Sequence, residues 1–179
     1  DIAAMTNKNV AVTFNGDAIP VKNFEQYVNL YIGGKSETKR IYCNYSDRWE
    51  YCICQSPLDE FTQVSFVNSI NTQKGGKHVE YLLNMVTKKL IAYIKKKKKV
   101  TVKGNTIKEQ LMIFVRCDIE NPSFDSQTKD YMNTPVSKFG SKCDISDKDI
   151  EKLAKMGIME TAIGLNEIKE TNKSKKTDG

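Results

Sequence analysis

The segment Leu111–Ile119, LMIFVRCDI, constrains the fold more than any other part of this 179-residue chain. It is the most apolar run in the sequence, and Asn121-Pro122 closes it, so it reads as a central β-strand. The chain supplies neighbours for it. Arg40–Tyr45 and Trp49–Cys54 flank Ser46-Asp47-Arg48 and predict a β-hairpin, and Val64–Ile70 predicts a third strand of that group. Val10–Phe14, ending on Asn15-Gly16, predicts a further strand entering a turn.

Helical periodicity alternates with these strands. Phe24, Tyr27, Val28 and Tyr31 fall at i, i+3, i+4 and i+7, a short amphipathic helix closed by Gly33-Gly34. Val79, Leu82, Leu83, Val86, Leu90 and Ile94 mark one face of a long helix. Its last turn runs into Lys95–Lys99, where cations suit the negative end of the helix dipole. Ser146 with Asp149 forms an N-cap pair for a helix through Ile150, Leu153 and Ala154, and Gly157 predicts a break or bend before Ile158–Ile168. Thr171–Gly179 holds no apolar residue and predicts a disordered polar tail. The class is α+β or mixed α/β, one sheet with helices packed on it, in a single domain over residues 1–170.

Composition excludes several alternatives. An apolar content of 39% with eight Tyr and seven Phe supports a sizeable core. No apolar run approaches the roughly 18 residues of a membrane-spanning helix. No basic stretch followed by an apolar one opens the chain, and its start on Asp1 suggests a piece of something longer. Five cysteines leave one thiol over from any pairing, and the spacing of Cys52 and Cys54 fits neither a CxxC redox motif nor a zinc knuckle. With His78 the one histidine, neither a metal site nor a Cys–His nucleophile is expected. Reduced cysteines serving as small apolar residues of a cytosolic protein fit better.

Charge is concentrated. Of the net +6, the window Val86–Arg116 carries +9, from ten basic residues against Glu109, and the rest of the chain carries −3. A mildly acidic body with one basic projection suits contact with a polyanion. Lys95–Lys99 reads in two ways, as a solvated helix end or as a contact for phosphates. No aromatic residue interleaves it, so base stacking is not expected, and binding would be sequence-independent and salt-dependent. Gly75-Gly76-Lys77-His78 lacks the GxxxxGK[ST] frame of a phosphate loop and reads as a tight strand-to-helix turn that needs glycine. Ser126-Gln127-Thr128-Lys129 is, by its residues alone, a polar loop. No carboxylate pair, Ser–His–Asp set or metal cluster stands out elsewhere.

Three stretches together resemble the transducer domain of type IIA DNA topoisomerases of the eukaryotic type. They are VSFVNSINT (Val64–Thr72) followed by KGGKHV (Lys74–Val79), IENPSFDSQTK (Ile119–Lys129) with that family's QTK loop, and Lys95–Lys99 at the place of its lysine-rich loop. Weaker similarity covers Asp1-Ile2, Pro20-Val21-Lys22, Arg48-Trp49-Glu50 and the region from Ser137 to Ile163, so only the tail is left out. The lysine- and asparagine-rich style resembles an enzyme of a large DNA virus. The Asn68–His78 stretch sets the chain apart from the equivalent module of mismatch-repair ATPases.

The resemblance implies a fold like the second domain of ribosomal protein S5, with a left-handed βαβ crossover. It implies that Lys129 reaches the γ-phosphate in the nucleotide site of an adjacent GHKL (Bergerat-type) ATPase domain. Gln127 would help hold that phosphate, with Thr128 between them. Lys95, Lys96, Lys97, Lys98, Lys99 and Lys103 would contact duplex DNA. ATP and Mg²⁺ would bind the full enzyme, a homodimer whose catalytic glutamate and Mg²⁺-binding asparagine lie upstream and whose TOPRIM and DNA-gate residues lie downstream. The chain alone would catalyse nothing. The implied compartment is the cytoplasm, that of the host for a viral enzyme, with the nucleus second. The competing reading is an autonomous basic nucleic-acid-binding domain with an S5-like fold.

Overall fold

Central strand β7 (Leu111–Cys117) explains the apolar run that specifies it: both of its faces are covered. The computed structural model describes residues 1–6 and 10–177. Among the described residues, seven strands lie in two sheets. β1 (Thr13–Phe14) and β2 (Asp17–Ala18) form a two-stranded hairpin, shorter than the strand Val10–Phe14 expected from sequence, because Asn15 and Gly16 reverse the chain with φ of 52° and 84°. The main sheet contains β3 (Arg40–Ser46), β4 (Trp49–Gln55), β5 (Thr62–Val67), β6 (Ile70–Asn71) and β7, in the spatial order β3-β4-β7-β5-β6. It is mixed: β5 runs parallel to β7 and all other neighbours are antiparallel.

The helices are α1 (Ile2–Met5), α2 (Phe24–Ile32), α3 (Lys77–Lys98), α4 (Gly104–Lys108), α5 (Asp147–Leu153) and α6 (Met159–Thr177). Leu111, Ile113 and Val115 of β7 join Trp49, Tyr51 and Ile53 of β4 in the larger core, beneath Leu82, Val86, Leu90 and Ile94 of α3 and Ile150 and Leu153 of α5. Residues of opposite parity, Phe114 with Cys52, Cys54 and Phe66, meet Phe24, Tyr27 and Val28 of α2 on the other face. The Tyr42 hydroxyl donates to Glu50 on that second face, and Arg116 pairs with Glu50 at 2.7 Å. All five cysteines are free. Burial pushes the Cys52 and Cys54 thiols up to about 12 and about 11, which suits apolar filler rather than nucleophiles.

Two expectations are corrected. The strand expected at Val64–Ile70 is two strands, because Asn68 and Ser69 (φ 48° and 67°) turn the chain between β5 and β6. The Asn68 side chain then imitates a strand residue, donating to Ile119 O at 3.0 Å and accepting from Ile119 N at 2.8 Å. In place of the disordered tail, α6 continues through residues 171–177. Extending an existing helix adds one hydrogen bond per residue fixed, so a polar sequence can follow one already nucleated by packed residues. Asp178 and Gly179 of that tail lie outside the described residues. The bend expected at Gly157 is present, as a π-type segment Ala154–Ile158 with Gly157 at φ 118° joining α5 to α6. Among the described residues no helix is long and apolar enough to cross a membrane.

Candidate functional site

Beyond β7 the chain turns at Asn121 (φ 47°) and forms an irregular hairpin from Ser123 to Asn133. Asn133 N donates to Ser123 O at 2.9 Å, Asp125 N to Tyr131 O at 3.2 Å, and Phe124 bridges to Met132. At its tip, Lys129 N closes a tight turn onto Ser126 O at 3.1 Å, with Lys129 itself left-handed at φ 59°. Gln127, Thr128 and Lys129 are all exposed. The Thr128 hydroxyl is engaged within the loop, 2.7 Å from Ser126 Oγ and donating to Asp130 Oδ2 at 2.9 Å. It therefore fixes the loop shape, and Gln127 and Lys129 are the side chains presented outward. The Lys129 ammonium lies 5.8 Å from the Phe124 ring centre, and among the described residues no carboxylate is within ion-pair distance of it. An exposed cation of this kind fits a phosphate brought to it from outside.

The hairpin is fastened to the start of α3. Met132 N donates to Gly75 O at 3.2 Å, Lys77 N to Met132 O at 2.8 Å, and Lys74 N to Asp130 O at 2.9 Å. Gly76 sits at φ 154° and ψ −172°, and a Cβ there would stand 2.5 Å from Met132 O. The double glycine is thus a close-approach turn, as expected, and its first free helix amide serves the hairpin. Tyr131 donates to Glu80 at 2.8 Å, and this bond, with Lys77, holds the Glu80 carboxyl below the usual range. Beneath the turn, His78 Nε2 lies 3.2 Å from Thr72 Oγ1, which lies 2.6 Å from Ser65 Oγ. Burial lowers the His78 pKa to about 3, so the ring is a neutral internal support.

From this anchor α3 runs 22 residues, about 33 Å at 1.5 Å per residue, to the lysine run. Lys95–Lys98 form its last turn and Lys99 (φ 58°) caps it, donating its N–H to Lys95 O at 3.0 Å. All five are exposed, and Lys97 Nζ stands 6.0 Å from the Tyr93 ring centre. Consecutive helical residues rotate by about 100°, so these lysines ring the helix end rather than line one strip. Lys103 is exposed at the start of α4. The two groups of candidate residues thus occupy opposite ends of one helix.

Sequence reasoning missed a second basic feature. A cleft of about 860 Å³ between edge strand β3 and α5 is lined by Lys35, Lys39, Arg40, Lys148, Lys152 and Lys155, with Asp149 and Glu151 the only acids. Along the chain their charges average out against neighbouring acids, and the one available signal was Lys148, Lys152 and Lys155 at i, i+4 and i+7. The residues Gln127–Lys129 do not line it. Among the described residues no group of three or more His, Cys, Asp or Glu side chains is placed to hold a metal ion.

The DNA gyrase B family model matches residues 23–177. DNA topoisomerase 2 of Arabidopsis thaliana is 42% identical over 186 aligned residues, covering 100% of this chain and 13% of that protein. The chain belongs to the type II DNA topoisomerases. Mouse DNA topoisomerase 2-alpha is 44% identical across 91% of this topoisomerase chain and 11% of its own length. The chain thus spans about an eighth of the curated relatives it matches. Among solved structures, the ATPase and transducer domains of Balamuthia mandrillaris topoisomerase II superpose with a TM-score of 0.84 at 36% identity, covering 95% of this chain and 42% of that one. The ATPase region of Saccharomyces cerevisiae topoisomerase II gives 0.82 at 35%, with coverage of 93% and 42%. The mixed sheet packed against helices is the architecture shared with them.

Proposed function

We propose that this chain is the energy-transducing module of an ATP-dependent type II topoisomerase, coupling ATP binding and hydrolysis in an adjacent GHKL domain to DNA-gate movement and strand passage. The observation that carries this reading is the bonded connection from the Gln127–Lys129 tip, through the hairpin fastened to Gly75 and Lys77, along α3 to Lys95–Lys99. Lys129 pairs with the γ-phosphate of ATP held by the neighbouring domain, and Gln127 helps orient it. Bound ATP with Mg²⁺ supplies the phosphoryl chemistry. Hydrolysis and phosphate release remove the partner of the Lys129 ammonium, and an interaction present in one nucleotide state and absent in the next can shift a conformational equilibrium. Because α3 is packed along its length, the shift passes on as a rigid-body movement. The enzyme acts as a homodimer on duplex DNA, in the cytoplasm, that of the host if the source is viral, with the nucleus as the second reading.

An autonomous nucleic-acid-binding domain is the second reading. It treats the QTK match as accidental, whereas the identity to topoisomerase 2 runs through the whole chain.

Two outcomes test the proposal. The Gln127–Lys129 loop offers a nucleotide one lysine, so the isolated chain is expected to show no ATP hydrolysis and millimolar or weaker nucleotide binding. Micromolar ATP affinity by calorimetry would show that the site is not shared. Replacing Lys95, Lys96 and Lys97 together with Ala is expected to lower the slope of log affinity for duplex DNA against log salt by about 0.9 for each phosphate no longer neutralised. Since the lysines ring the helix, about two such phosphates are expected from the three substitutions. The weakening is expected to be equal on unrelated sequences, because phosphate contacts carry no base information. Parallel salt titrations of equal slope would return the run to a solvated helix end.

A further inference from the structure

We propose that the basic cleft between β3 and α5 is a second contact for the phosphate backbone of duplex DNA, continuous with the lysine run; this rests on the DNA-binding reading of that run. Six cations against Asp149 and Glu151 leave the cleft with an excess of four positive charges. Two of the cations are paired, Lys35 with Glu25 at 2.6 Å and Lys155 with Glu151 at 2.7 Å. Arg40 is buried, and its guanidinium donates only to neutral acceptors: Thr38 O, Asn29 Oδ1, Gly33 O and Gly34 O, at 2.7 to 3.1 Å. Its charge therefore stands uncompensated at the cleft wall, where the surrounding protein screens it less than water would. Lys39, Lys148 and Lys152 are exposed, and among the described residues no carboxylate lies within ion-pair distance of them.

Lysines facing one another across a concave surface repel unless an anion lies between them, and such a surface concentrates the field on that anion. The geometry selects its kind. Lys148, Lys152 and Lys155 form one row along α5 and the following π-type segment, while Lys35 and Lys39 stand opposite in the α2–β3 loop. Two walls of flexible ammonium groups suit an extended ridge of phosphates. The Tyr42 hydroxyl is already bonded to Glu50, and no other aromatic side chain lines the cleft, so it has no platform for stacking bases. The cleft is also continuous with the run. α3 packs against α5, with Leu90 and Ile94 in the same core as Ile150 and Leu153, which places the last turns of α3 beside the α5 wall. One positive surface therefore extends from the end of α3 across α5 into the cleft.

The test is a salt titration of duplex binding, read by fluorescence anisotropy, on the wild-type chain and its variants. The triple replacement Lys39→Ala, Lys148→Ala, Lys152→Ala is expected to lower the salt slope by about 0.9 per phosphate, approaching the effect of the Lys95–Lys97 replacement. Lys→Arg at the same three positions keeps the charge and is expected to keep the slope, which separates charge from any loss of fold. The pair Lys74→Ala and Lys138→Ala, away from the cleft, is expected to leave the slope unchanged. Removing the internal competitor by Glu151→Gln is expected to tighten binding several-fold. A lowered slope for the Lys95–Lys97 form with an unchanged slope for the cleft form would overturn this proposal and leave the DNA reading standing. Unchanged slopes for both would overturn the DNA reading with it. If the cleft replacement weakened tripolyphosphate binding while duplex binding was unaltered, the cleft would be a site for a compact polyanion and this assignment would fail.

Discussion

Replacing Lys129 with Ala in the assembled enzyme is expected to lower ATP turnover about 100-fold, the usual order for losing one preorganised donor to a developing charge. DNA strand passage falls with it, while DNA cleavage is expected to stay near normal, since the loop contacts nucleotide alone in the proposed mechanism. The structure makes this a clean substitution. Lys129 is exposed, its ammonium makes no ion pair among the described residues, and it stands over the Phe124 ring. Stability should therefore change by less than about 0.5 kcal/mol, as is usual at exposed positions. Left-handed backbone at φ 59° adds a second control, because Lys129→Gly suits the conformation better than Ala does. Both variants are expected to lose turnover equally if the ammonium matters, whereas rescue by Gly would point to loop shape. Wild-type ATPase in Lys129→Ala, measured in the dimer with saturating DNA, would remove the nucleotide-sensing role altogether.

What was legible in the sequence is what local chemistry decides. The apolar spacing of Val79–Ile94 gave α3 because one face must be dry, and Ser146 does cap α5, accepting from Asp149 N at 3.2 Å. LMIFVRCDI is apolar at consecutive positions because β7 lies between two covered faces. The break between β5 and β6 and the basic cleft depend on partners distant in sequence. Asn68 ends β5 by bonding to Ile119, and no periodicity within Val64–Ile70 reports that contact. The cleft joins Lys39 to Lys152 across more than a hundred residues, so a running charge balance could not find it. The site lies between these cases. The QTK loop is legible by resemblance, but only the fold shows that Lys129 is exposed, that Thr128 bonds to Asp130 and that the hairpin is fastened to Gly75 and Lys77.

That fastening is the basis of the second large effect, expected for Gly76→Ala. A Cβ at Gly76 would lie 2.5 Å from Met132 O, 2.8 Å from Met132 N and 2.9 Å from Met132 Cβ. Two of these are backbone atoms, so no rotamer change relieves the contact. Moving Met132 away breaks the bonds from Lys77 N and to Gly75 O, about 0.5–1.5 kcal/mol each. Moving Gly76 instead means leaving φ 154°, ψ −172°, a region open essentially to glycine, where another residue costs about 1–3 kcal/mol. Denaturant unfolding is therefore expected to show a loss of about 3 kcal/mol, a large part of an ordinary domain's stability. Gly164→Ala in α6 provides the contrast: nothing lies within 4 Å of the added carbon, and the helix should gain up to about 1 kcal/mol from propensity. In the folded fraction of Gly76→Ala, amide exchange should show where the strain is relieved. The Lys77 and Met132 amides should lose protection, while those of Ile113 and Val115 in β7 keep it. If the hairpin transmits the nucleotide state through this junction, such a chain in the assembled enzyme would still bind DNA with a normal salt slope. Its ATP turnover, however, would no longer respond to DNA. Unaltered stability together with DNA-stimulated ATPase would show that the contact between Gly76 and Met132 is not the coupling element.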